Sequence, residues 1–500
     1  MYGPMRALLL IALLLSVADL IGCGSGDSVT GSGPRLGDGS NNAMLQGQYA
    51  FAFSGQDANG PFSEVGSFTA DGQGHLGGNE DVVTSALQTG NSGAHFAGTY
   101  SVGQDGRGNA VVGLQAGCPN WQFTMLNRAH ALLTCLNTKM TGSGTIDLQD
   151  STAFSTAALK GNYVFGFSGV GSSAFLAVAA GNWSMDGAGN INTGQMDVND
   201  LSFTAPFEDI SLSGTYSVSS SGRGTAVINS DYPASSSTQN FVFYVVNATD
   251  IKFMQTNPLP LLAGEVLSQT SGSLTAGTYA FTLGGSDANG IPLAFGGLIP
   301  ADGNGNVSAG VLDTNYDGST LSDTLTGTYA VSSSGRGVAT LTSPSVGSLP
   351  LAFYKAANGN IEFVNLGGNL GGIDFAVSGM AKAQSGRPFG QRSMNGNYAV
   401  SFSGTNLGAG EEDISGQLTS DGAGNLSGVL DINSSGSIFQ GTQLSGSTYT
   451  MTSTGRGTAS LNTGTGTFAL QTYQIDPGTV LFLDLDDNRV MTGIAEKQHF

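Results

Sequence analysis

The chain carries 500 residues, enough for three or four domains that each bury a core. Only 10% of them are charged, and the formal charge of −20 argues against nucleic acid or an anionic membrane surface as a partner. Glycine reaches 78 residues, roughly double its usual share, and its company of Ser, Thr and Asn favours turns and strands over helices.

The first element is an export signal. Arg6 precedes an apolar run from Ala7 to Ala18, too short to span a bilayer but of the length of a secretory h-region. The run leads into Leu20-Ile21-Gly22-Cys23, which resembles the lipobox of bacterial lipoproteins. That resemblance implies cleavage before Cys23, a diacylglyceryl group on its thiol, and stable anchoring by two or more acyl chains. Gly24, rather than Asp, after the Cys implies the outer membrane by the same family analogy. Asp19 departs from the usual pattern, and an ordinary signal peptide with a chance Cys is the alternative. Residues 24–43 lack apolar periodicity and read as a flexible tether, up to roughly 65 Å long when extended.

Three phrases then recur four times. An opening phrase reads GQYAFAFSG at Gly47, GNYVFGFSG at Gly161, GTYAFTLGG at Gly277 and GNYAVSFSG at Gly396. A second is DGxG followed by His or Asn, starting at Asp71, Asp186, Asp302 and Asp421. The third is GRG, around Arg107, Arg223, Arg336 and Arg456, each time after a Tyr. Repeats this long are complete domains rather than solenoid turns, expected at 44–150, 158–268, 274–384 and 393–500. The combination resembles multi-repeat exported proteins of acidobacterial type, a resemblance that brings no activity with it.

Within a copy the period is two. Tyr49, Phe51 and Phe53 fall on one face and Ala50 and Ala52 on the other, as in a strand. The last copy divides into eight strands, expected at 396–404, 413–420, 425–432, 445–453, 457–462, 466–473, 478–485 and 489–496. Short glycine-containing links join strands two to three and four to five, whereas the links after strands one, three and five vary among copies. In an antiparallel meander the tight turns gather at one end and the variable links at the other. The expected fold is all-β: four tandem modules, each an eight-stranded up-and-down barrel, with an immunoglobulin-like sandwich as the alternative.

Candidate chemistry is sparse. The DGxG phrase lacks the alternating oxygen ligands of a calcium loop and reads as a hairpin turn, so no metal is expected. A second recurring acid follows at Asp81, Asp197, Asp313 and Asp431, with an Asn two positions after the last three of these. Those Asn residues suit Asx-type loop starts. His75, His95, His130 and His499 do not recur between copies, so no catalytic residues and no cofactor are expected. Trp121 and Trp183 read as core. Cys118 and Cys135, confined to the first copy, are expected to form a cross-strand disulfide across a hairpin centred between Leu126 and Asn127, with free thiols as the alternative.

The arginines have two readings. Each GRG turn lies two strands from its own module's DGxG turn, so a clamp from Arg223 to Asp186, and its equivalents, is expected to fasten the fold. An anion-binding nest is the other. For the whole chain the expectation is a surface-tethered, non-catalytic protein whose variable loops meet an extracellular ligand or envelope component. A carrier of small apolar ligands inside hollow barrels and a plain envelope spacer are the alternatives.

Overall fold

A computed structural model describes residues 37–500, apart from 85–90, 114–116, 257–258, 271 and 465. The signal segment, Cys23 and residues 24–36 of the tether lie outside the described residues. Four antiparallel barrels follow one another, with strands running from Gln46 to Leu148, Lys160 to Ser268, Gly277 to Ala383 and Asn395 to Lys497. In each, eight strands follow one another round the sheet and the first pairs with the last; in the third a two-residue strand, Asn369–Leu370, precedes the last strand and pairs with it alone. Closure leaves no open edge, and the sandwich is thereby set aside.

The alternation of strand one shows why these sequences close. Tyr49, Phe51 and Phe53 enter the first barrel's core, while Ala50 faces outward into a separate cluster. Aromatic rings fill the interiors: Phe51 and Trp121 lie 4.8 Å apart between centroids, and Phe165 and Trp183 lie 4.5 Å apart. A cavity in the third barrel measures about 10 Å³, room for one water at most. Strand four of the last barrel spans Ser437–Met451, starting eight residues before the sequence expectation. Register slips at Leu426/Gly428 and Leu430/Ile432 break the period of two there.

The barrels are not separate beads. Strands one to three of each barrel pack their outward apolar side chains against strands six to eight of the next. Ala50, Val65 and Val83 of the first meet Val242, Tyr244 and Met254 of the second. Val178 and Ala180 of the second meet Ala352 and Tyr354 of the third, and Ala280 and Leu298 of the third meet Tyr473 and Leu481 of the fourth. Ala399 of the fourth then packs on Leu126 and Leu132 of the first. A head-to-tail contact that returns to its start makes a closed ring, here within one chain.

A glutamine just after strand eight repeats at every seam. Gln149 donates to the Val245 carbonyl at 2.6 Å, Gln269 to Ser334 at 3.5 Å, Gln384 to Thr454 at 2.9 Å and Gln498 to Asp105 at 2.9 Å. The two ends of the folded body therefore share one turn of the first barrel, because the Asn41 amide also donates to the Val102 carbonyl at 3.0 Å.

Candidate functional site

The GRG arginines do not clamp the DGxG turns. Each aspartate of those turns serves its own hairpin instead: Asp186 Oδ1 accepts from the Ala188 and Asn190 amides at 2.7 and 2.9 Å. Asp71, Asp302 and Asp421 do the same. In Asp186 the hydrogen bonds from Asn190 and Ala188 hold the carboxyl down at about 2.

Each of the later arginines crosses a seam. Arg223 forks onto Asp81 of the preceding barrel, Nε to Oδ2 at 2.8 Å and Nη2 to Oδ1 at 2.7 Å. Arg336 grips Asp197 at 2.8 and 2.6 Å, and Arg456 grips Asp313 at 2.9 and 2.6 Å. A tyrosine facing the arginine across the ladder completes each site: Tyr244, Tyr354 and Tyr473 donate to the same carboxylates at 2.6, 2.5 and 2.6 Å. The hydrogen bonds to Asp81 raise the Arg223 guanidinium still further above its ordinary value.

At the fourth seam the pattern is altered. Arg107 is buried and bonds Asp105 through Nε at 2.7 Å, with Asp431 of the fourth barrel 3.9 Å from its Nη1. Asp105 stands where the other copies carry Ser221, Ser334 and Thr454, and Thr124 where they carry the tyrosine. Asn433 strengthens this seam by donating to the Cys135 and Met140 carbonyls at 2.8 and 2.9 Å. Asn315 reaches the Asp484 and Arg489 carbonyls in the same way. These side chains also form the expected local turns, since Asn433 Oδ1 accepts from Gly436 and Asn315 Oδ1 from Gly318.

Cys118 and Cys135 are joined in a disulfide. The hairpin turns at Arg128 and Ala129 rather than at Leu126 and Asn127, and Cys135 pairs with Trp121. Cys118 lies in the connection before strand six, from which its backbone amide donates to buried Glu64 at 3.1 Å.

Apart from the seams, a cavity is found at one of the variable ends. The fourth barrel opens there into a cavity of about 350 Å³. Its depth is formed by Ile432 and Phe468 and its rim by Phe439, which is 52% exposed. Glu412 and Arg489 sit side by side in it, Nε to Oε1 at 2.8 Å, the carboxylate only 2% exposed. Asn406 Nδ2 donates to the other carboxylate oxygen at 2.9 Å, and the Arg489 guanidinium lies 4.6 Å over the Phe468 ring. Nη1 points at Asp486, 3.5 Å away, while Nη2 makes no hydrogen bond among the described residues. Burial and the nearby Asp486 push Asp484 up to about 7.

The ion pair is peculiar to this barrel. The position of Glu412, opposite a strand-one glycine, holds Phe62, Ala177 and Leu293 in the other copies. The position of Arg489 holds Met140 in the first barrel and Phe375 in the third. Those side chains are core, so an apolar plug in the first and third barrels is replaced by a charged pocket in the fourth. The first barrel has its own exception deeper down. Glu64 and Glu80 are fully buried where the other copies carry Ala179, Phe295 or Ile414 and Met196, Leu312 or Leu430. Burial and mutual repulsion raise the Glu64 carboxyl well above its ordinary range. The apolar residues at the same positions of the other copies mark both departures in the sequence.

No protein-family model and no curated protein matches the chain. Among solved structures it is similar to kievitone hydratase from Nectria haematococca, with 7% identity over 69% of this chain and 94% of that one, at a TM-score of 0.19. It is also similar to a mutant of transferrin binding protein B from Haemophilus parasuis, with 11% identity over 94% and 99% of the two chains, again at 0.19. A third is a putative AttH from Nitrosomonas europaea, with 10% identity over 67% and 91% at 0.15. Likeness at this level says nothing of what this chain binds.

Proposed function

We propose that this chain is a non-catalytic lipoprotein, held to the bacterial outer membrane through Cys23, whose ring of barrels binds an extracellular ligand at its variable end. The observation that carries this reading is the single pair Glu412 and Arg489, which turns the plugged mouth of a repeated barrel into a polar pocket. Buried charge is costly, and a charged pair kept in place of a core plug is more economically explained by a ligand than by stability. The filled interiors weigh against a carrier of apolar molecules. The ring makes one scaffold carrying unequal mouths.

Cys23→Ser with residues 1–22 removed tests the anchor: the protein should move from the membrane fraction to the soluble fraction. Retention on the membrane by the Ser variant would remove the lipid from the account. Binding is tested by titrating extracellular small molecules onto the soluble variant while watching the environment of Phe439.

A further inference from the structure

Resting on the reading of the fourth mouth as a binding site, the geometry points to a neutral sugar residue as its ligand. Size sets the first limit. At about 350 Å³ the cavity lies at the small end of ligand pockets and suits a sugar ring rather than a polymer or a lipid tail.

Charge sets the second. Arg489 is already flanked by Glu412 at 2.8 Å and Asp486 at 3.5 Å, with Asp484 nearby. A ligand carboxylate or phosphate would have to approach those acids, and an ammonium would have to approach the guanidinium. An uncharged ligand meets neither penalty. A purely apolar ligand fails for the opposite reason, since it would strip water from the ion pair without offering hydrogen bonds in return.

What remains is a molecule with hydroxyls on its edges and C–H groups on its faces. Arg489 Nη2 is a donor without a protein partner among the described residues, and the hydroxyls of Ser434, Ser437 and Thr442 line the walls as both donors and acceptors. Phe439, half in solvent at the rim, offers an aromatic face against which a sugar ring can pack. Glu412 acts as a positioning residue. It spends one oxygen on Arg489 and the other on Asn406, and so fixes the guanidinium for the ligand.

The test uses the full soluble protein carrying Cys23→Ser, with saturation-transfer NMR against methyl glucoside, methyl galactoside, methyl mannoside, glucuronate and glucosamine. At least one neutral glycoside should bind, and Phe439→Ala should weaken it about tenfold. The double variant Glu412→Phe, Arg489→Met copies the plug of the first barrel, so it should fold and yet lose binding. Binding of glucuronate or glucosamine alone, abolished by the plug, would overturn the neutral class and leave the site standing. If no probe responds to the plug, both the sugar and the fourth mouth as a binding site are wrong.

Discussion

Arg456 of the fourth barrel forks onto Asp313 of the third, and the same pair links each consecutive couple of barrels in the chain. The aspartate is 2% exposed and the arginine 31%, so the two partners are not equivalent. Arg456→Ala strands a buried carboxylate beside Tyr473 and should cost about 3 kcal/mol. Asp313→Ala leaves an arginine that can turn to water and should cost roughly half as much. Asp421→Ala, which removes only solvent-exposed turn bonds, should cost least of the three. Chemical denaturation of the three variants checks the order, and a larger loss from Asp421→Ala would restore the fastening within each module.

The barrel was legible because Tyr49, Phe51 and Phe53 alternate with Ala50 and Ala52, and strand period carries through four copies. The ring was not. Asp81, Asp197, Asp313 and Asp431 recur as plainly as the arginines, but their spacing along one module gives no hint that their partners lie in the next. The alanines and valines of the outward faces, such as Ala50 and Val65, look unremarkable in sequence although they form the seams. Glu412 and Arg489 lie 77 residues apart and only the sheet register makes them neighbours.

Removing residues 498–500 tests the closing seam. Gln498 holds the Asp105 and Met125 carbonyls, and the His499 amide donates to Leu126. At about 1 kcal/mol per hydrogen bond, their loss should speed amide exchange around Asp105–Arg107 and Met125–Leu126 by one to two orders of magnitude. Unchanged exchange there would mean that the first and fourth barrels do not meet.

Stability should fall as pH rises from about 5 to 8. Burial and Glu265 push Glu362 up to about 8, and burial and Asp486 push Asp484 up to about 7. The folded chain therefore holds protons that the unfolded chain has already released, and the stability these acids contribute at low pH is lost as pH climbs through their folded values. His130 works in the same direction: burial opposes its charge, but Asp147 and Glu496 outweigh burial and hold it up at about 10. Glu362→Gln should flatten the dependence of Tm on pH between 5 and 8; an unaltered slope would show that Glu362 titrates normally.

Reduction of Cys118–Cys135 should loosen the first barrel selectively. A separation of 17 residues corresponds to about 3 kcal/mol of lost constraint. Fluorescence of Trp121, next in the ladder to Cys135, should change on reduction while the second barrel's Trp183 environment stays as it was. Equal changes at both tryptophans would contradict a local staple.

Small-angle scattering of the soluble Cys23→Ser protein tests the ring itself. Four barrels, each about 33 Å across and closed in a ring, should have a radius of gyration of about 27 Å, slightly enlarged by the tether. Four barrels strung in a line, each about 33 Å across, would give about 35–40 Å. A value in the upper twenties is what the four seams require; a value above about 35 Å would contradict them.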